Sequence, residues 1–193
     1  MIMTMHEKLV TLLAEKALHT HVDVQLSSGE RSDMYLDCRQ WLALPSARRF
    51  LGTLVNNHFY NTVRSMAAIG GMAISAYPVA IAITDGGADG GSPKDIPAFV
   101  IRQEARNHGL ARQIEGIDCE ALHGKEVLVV DDVATTGRSL CNAITACRAH
   151  GLVVTKALVI VERDEQSRKA VEERGVELIA LCHWNEIRAA VKG

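Results

Sequence analysis

The chain has 193 residues, 48% of them hydrophobic and 23% charged, with a formal net charge of -2 at pH 7. That length fits one compact domain over residues 1–193, and the composition suits a soluble globular protein with a full core. The charge balance gives no reason to expect nucleic acid or a membrane surface as partner, and no apolar run is long enough to span a bilayer.

Residues 1–18 place Leu9, Leu12 and Leu13 on one face among polar residues, which predicts an amphipathic helix rather than a signal peptide. Period-two alternation predicts a strand over 22–26, a turn over 27–29 and a second short strand over 34–36. Pro45 and Ser46 open a helix with Phe50, Leu51, Leu54 and Val55 on its apolar face. A strand over 66–69 closes at Gly70 and Gly71. An Ala/Ile-rich helix then runs to about Ile83, with Pro78 as a kink or the real first turn. Residues 85–93 read as a Gly-rich loop, 98–101 as a strand and 102–115 as a polar, unpatterned segment. After the central strand and helix come a strand over 153–161, a helix over 166–174 stopped by Gly175, a strand over 176–181 and a short helix over 185–191. Strands alternating with helices predict an α/β fold, a mostly parallel twisted sheet flanked by helices. Ligands in such folds sit at the carboxyl ends of the strands.

The central segment carries the chemistry. The apolar run 127–130 predicts a buried strand ending on adjacent carboxylates, Asp131 and Asp132. Ala134, Thr135, Thr136, Gly137 and Ser139 follow at once. Leu140, Ala143, Ile144 and Cys147 then recur at helical spacing. A strand, a Gly/Thr turn and a helix start together make a phosphate seat of backbone N–H groups and helix dipole. Paired acids beside such a seat suit a ligand that also carries hydroxyl groups, which describes a sugar phosphate. A solvated pair of loop acids is the plainer alternative. A response-regulator receiver domain fits poorly, because its paired acids belong near the N-terminus. No G-x-x-x-x-G-K-[ST] occurs, so a nucleotide P-loop is excluded.

The run VLVVDDVATTG resembles the phosphoribosyl pyrophosphate (PRPP) signature of type I phosphoribosyltransferases. Residues 102–109, RQEARNHG, resemble the mobile catalytic loop of the orotate phosphoribosyltransferases. Residues 26–39, LSSGERSDMYLDCR, are similar to their N-terminal hood, and 161–164, VERD, matches a further motif. The similarity covers about 22–181. It implies a hood formed by about 1–40 plus the C-terminal segment. It also implies transfer of the phosphoribosyl group from PRPP to orotate in pyrimidine (UMP) synthesis.

By resemblance, PRPP is bound by Arg102, Gln103, Arg106, His108, Asp131, Asp132, Val133, Ala134, Thr135, Thr136, Gly137, Arg138 and Ser139. Arg106, His108, Asp131 and Asp132 are the catalytic set, and Thr135, Arg163 and Tyr35 meet orotate. The resemblance further implies Mg²⁺ held mainly by substrate and water, with no protein ligand set assigned, and a homodimer with shared active sites. Ser27, Ser75 and Gln103 stand where many members carry lysine, and Arg106 stands where the loop lysine would be. A less cationic site is implied, with weaker PRPP binding or slower turnover. A phosphoribosyltransferase for another base, or a PRPP-binding regulatory module without turnover, remains an alternative.

Other candidates carry less. His19 and His21 lack a third partner for a metal site, and Trp41 and Trp184 read as packing anchors. Cys38, Cys119, Cys141, Cys147 and Cys182 form no C-x-x-C pair, and reduced thiols in a cytoplasmic protein are the expectation.

Overall fold

The structure, a computed structural model, describes residues 3–25, 31–86, 95–103 and 113–192. Helix α1 (Met5–Lys16) starts at a capping box, in which Thr4 and Glu7 each accept from the other's backbone N–H. It stops short of the expected boundary because Leu18 already opens β1 (Leu18–Gln25), which pairs antiparallel with β2 (Arg31–Leu36). A register irregularity between Thr20 and Val24, with His21 at φ 59°, hides the start of β1 from a period-two reading. The turn expected at 27–29 lies outside the described residues.

Helix α2 (Cys38–Leu42), capped by Asp37, is too short for helical periodicity to register in the sequence. Helix α3 (Pro45–Ser65) opens on Pro45 as expected and buries Leu51, Leu54 and Val55. Strand β3 (Ala68–Met72) corrects the prediction that Gly70 and Gly71 end a strand, because it runs through both. A Cβ on either residue would lie 2.2 Å from a neighbouring strand's carbonyl oxygen, that of Phe99 for Gly70 and that of Val130 for Gly71. The glycines therefore mark close packing within the sheet. In α4 (Ala76–Thr84), Pro78 sits in the first turn, where its missing N–H is no loss.

Strand β4 (Ala98–Ile101) falls where predicted, and a short β5 (Ile114–Glu115) pairs antiparallel with it inside the segment read as unpatterned. The loop prediction beyond Gly86 and the catalytic-loop residues 104–112, Arg106 and His108 among them, lie outside the described residues. Strand β6 (Val127–Ala134) carries both acids inside it rather than ending at Val130. Its pairing with β7 (Lys156–Glu162) continues through Val133 with Val161 and Ala134 with Glu162. Helix α5 (Arg138–Ala149) follows. Strand β7 starts later than expected, since Val153 makes only an isolated bridge to Glu126. Helix α6 (Glu165–Glu172), Gly175 at φ 68°, β8 (Glu177–His183) and α7 (Trp184–Lys192) complete the described chain.

The main sheet has the order β5-β4-β3-β6-β7-β8, parallel throughout except at β5. Alternation along β6 divides its side chains between two cores. Leu128 and Val130 pack with α1 to α4 and α7, while Val127 and Val129 pack with α5 and α6. The first core also holds Leu9 and Leu13 beside Trp184 and Ile187, so α1 and α7 are built into one apolar mass. His6 and Glu186, 2.6 Å apart, fasten the same two helices at the surface. No helix among the described residues is long and apolar enough to cross a membrane.

Candidate active site

The alternation that splits the cores also splits the acid pair. Asp131, 3% exposed, accepts from the Ser75 hydroxyl at 2.7 Å and from the Asp132 N–H at 3.0 Å, and the nearby Ser139 hydroxyl also favours its charged form. Asp132 is half-buried and accepts from the Val133 N–H at 2.8 Å. Burial pushes both carboxyls up. Asp132 rises to about 7 because the Asp131 charge adds to the burial, while Arg39 pulls it part of the way back. Two acids this close titrate as a pair and hold a proton into the neutral range. A hydroxyl donor or a cation arriving at them would favour the ionised form.

Beyond the acids, Gly137 at φ 73° turns the chain into α5. A side chain there would be strained and would press within 2.9 Å of the Ser167 carbonyl oxygen. Gly137 is the helix N-cap and offers no side-chain bond to the first turn. The Arg138 N–H makes only a long bond to the Thr136 hydroxyl, at 3.4 Å, and the helix N-terminus with its dipole favours an anion there. A cavity of about 840 Å³ opens over this turn, lined by Asp131, the residues Thr135 to Ser139, and Gln103.

A second cavity of about 700 Å³ lies beside β2, lined by Ser32, Met34, Thr135, Arg163, Trp184 and Arg188 among others. Thr135 borders both cavities. The Arg163 N–H donates to the Ala134 carbonyl at 2.8 Å, which ties the end of β7 to the start of the turn. Its guanidinium donates to the Ser32 hydroxyl at 3.2 Å and lies 4.3 Å from the centre of the Trp184 ring.

Of the sequence-predicted residues, Gln103, Asp131, Val133, Ala134, Thr135, Thr136, Gly137, Arg138 and Ser139 line one cavity, and Thr135 and Arg163 line the next. Arg102 is held bidentately by Glu115 at 2.6 and 3.1 Å. The Tyr35 hydroxyl accepts from Arg39 at 3.2 Å, and it is Arg31, Ser32, Asp33 and Met34 of its strand that line the cavity with Arg163. Sequence reading missed three participants: the Ser75 bond, the Arg39 charge beside Asp132, and Trp184 under Arg163. For Trp184 a signal existed, because it follows β8 as Arg163 follows β7, on the same rim. Among the described residues, no three His, Cys, Asp or Glu side chains are grouped to hold a metal ion.

An anion turn beside paired acids at the rim of a parallel sheet, with an arginine-lined cavity next to it, defines a sugar-phosphate-handling α/β protein of the transferase type. Comparison with known proteins makes the assignment specific. A profile for the phosphoribosyl transferase domain matches residues 70–191. The orotate phosphoribosyltransferase of Corynebacterium glutamicum is 38% identical over 180 residues, covering 93% of this chain and 92% of its own. That of Aquifex aeolicus is 34% identical over 191 residues, covering 97% and 100%. Among solved structures, a phosphoribosyltransferase from Corynebacterium diphtheriae superposes with a TM-score of 0.79 at 30% identity, covering 96% of this chain and 99% of that one. The Mycobacterium tuberculosis orotate phosphoribosyltransferase in complex with PRPP gives a TM-score of 0.75 at 28% identity, with the same coverage. The chain belongs to the phosphoribosyltransferase family, in its orotate phosphoribosyltransferase branch.

Proposed function

We propose that this enzyme transfers the 5-phosphoribosyl group of PRPP to orotate, giving orotidine 5′-monophosphate and pyrophosphate in UMP synthesis. The observation that carries this reading is Thr135, the residue shared by the anion-turn cavity and the Arg163 cavity. A donor whose 5′-phosphate sits in the turn and an acceptor beside Arg163 would meet there, as an in-line displacement requires.

The residues divide the work. The turn of Thr135 to Ser139 wraps the 5′-phosphate, with Val133 and Ala134 leading into it. Asp131 and Asp132 accept from the ribose hydroxyls and favour the positive charge that grows on the sugar as the C–O bond to pyrophosphate breaks and the C–N bond forms. Arg163 receives the orotate carboxylate, whose two oxygens match a guanidinium edge, and Thr135 and Tyr35 border the acceptor. Arg102, Gln103, Arg106 and His108 would meet the pyrophosphate, with His108 as its proton donor.

The acid pair, once ionised, fits a cation nearby, and Mg²⁺ carried on the donor's oxygens needs few protein ligands. When bound, it neutralises the departing pyrophosphate. One domain with a hood from about 1–40 and the C-terminal segment, a homodimer with shared active sites and a cytoplasmic setting complete the reading. The single apolar mass joining α1 to α7 supports the undivided domain.

The test is pyrophosphate release with PRPP, Mg²⁺ and, in turn, orotate, uracil, hypoxanthine and adenine. Release with orotate alone is expected. Release only with another base would reassign the acceptor, and PRPP binding without any release would make the chain a sensor.

A further inference from the structure

We propose that Trp184 is the positioning residue for acceptor recognition, holding the Arg163 guanidinium in the plane in which it meets the acceptor's carboxylate. This rests on the reading that Arg163 receives that carboxylate. Arg163 lies 4.3 Å above a tryptophan that is itself only 9% exposed, so the plate under the guanidinium is fixed by the core. Stacking on an indole is the strongest of the side-chain cation–π contacts. A guanidinium stacked this way presents its N–H groups in its own plane, the geometry that matches a carboxylate. Ser32, accepting at 3.2 Å, sets the rotation of the guanidinium within that plane.

The strand ends keep the two residues in register. Glu162 and His183 are Cα partners at the last pair of β7 and β8, so Arg163 and Trp184 are the next residue on each chain. On the opposite face, Glu162 is 3% exposed and accepts from Arg168 at 3.0 and 2.7 Å, with the His183 ring 3.3 Å away. Arg168 also donates to the Leu178 carbonyl of β8 at 2.8 Å. The clamp on one face thus fixes the spacing of arginine and indole on the other. A long, rotamer-rich side chain is thereby ordered before the acceptor arrives, and the entropy of ordering it is not charged to binding.

The experiment compares Trp184→Leu, Trp184→Phe and Arg163→Leu, reading KM for orotate and for PRPP separately and the preference for orotate over uracil. Trp184→Leu is expected to raise KM for orotate roughly tenfold with KM for PRPP unchanged, and to lower the orotate preference, while Trp184→Phe restores most of it. A second measurement replaces tryptophan biosynthetically with mono- to tetra-fluorinated forms. These weaken the ring's negative face at constant shape, and KM for orotate should climb with fluorine number. This series decides the matter if Trp184→Leu does not fold. A flat series, or an unchanged KM in a folded Trp184→Leu, overturns the proposal where Arg163→Leu still raises KM for orotate. An unchanged KM in Arg163→Leu would instead overturn the carboxylate reading beneath it.

Discussion

The Ser75 hydroxyl donates to Oδ1 of Asp131 at 2.7 Å, joining the start of α4 to the acid pair of β6 across 56 residues of sequence. Ser75 is the N-cap of α4, yet its hydroxyl makes no cap bond. The position supplies the acid pair with a neutral donor where a lysine would supply charge.

Replacing that donor by a cation should change the pH at which the pair is ready for sugar hydroxyls. With Asp132 pushed up to about 7, kcat/KM for PRPP is expected to rise with pH through the neutral range. In Ser75→Lys the ammonium favours the ionised acids, so that rise should move down by about one pH unit. A pH–rate profile from mildly acid to mildly alkaline conditions checks it, and an unmoved profile would mean the pair does not govern PRPP use.

Asp132→Asn should separate activity from stability. The folded carboxyl sits near 7 against an ordinary 3.8, so the folded state holds a proton that the unfolded chain releases between those values. The group's contribution to stability therefore falls as pH rises from about 4 to about 7, then levels off. The asparagine variant lacks this loss and should be more stable than the parent by roughly 1–2 kcal/mol at pH 8, with the difference shrinking toward pH 5. Its turnover of PRPP should drop about a hundredfold or more, the magnitude of losing one charge-stabilising contact in a transition state. Urea denaturation at the two pH values, alongside the pyrophosphate assay, reads both effects.

Two glycines should respond differently to alanine. A Cβ at Gly71 meets the Val130 carbonyl oxygen at 2.2 Å and the Ala76 Cβ at 2.8 Å, in the middle of the sheet. Gly71→Ala should cost about 3 kcal/mol or more, or abolish soluble expression. Gly124 has a positive φ of 72° but nothing within 4 Å, so Gly124→Ala should cost about 1–2 kcal/mol from backbone strain alone. Equal losses in the two variants would contradict the packing around β3.

The amino-acid sequence by itself determined the anion seat, because apolar run, acid pair, Thr/Gly turn and helix start are contiguous between Val127 and Cys147, so chain order alone sets them side by side. It also determined the alternation of strand and helix, since periodicity reports on near neighbours. The bounds of β6 were decided only by tertiary structure: nothing local keeps Asp131 to Ala134 extended, and β7 does so through its ladder. The same holds for Ser75 against Asp131, Arg39 beside Asp132, and Arg163 over Trp184. Each pair is brought together by the order of strands in the sheet, which sets distances between sequence-remote strand ends that no residue spacing encodes.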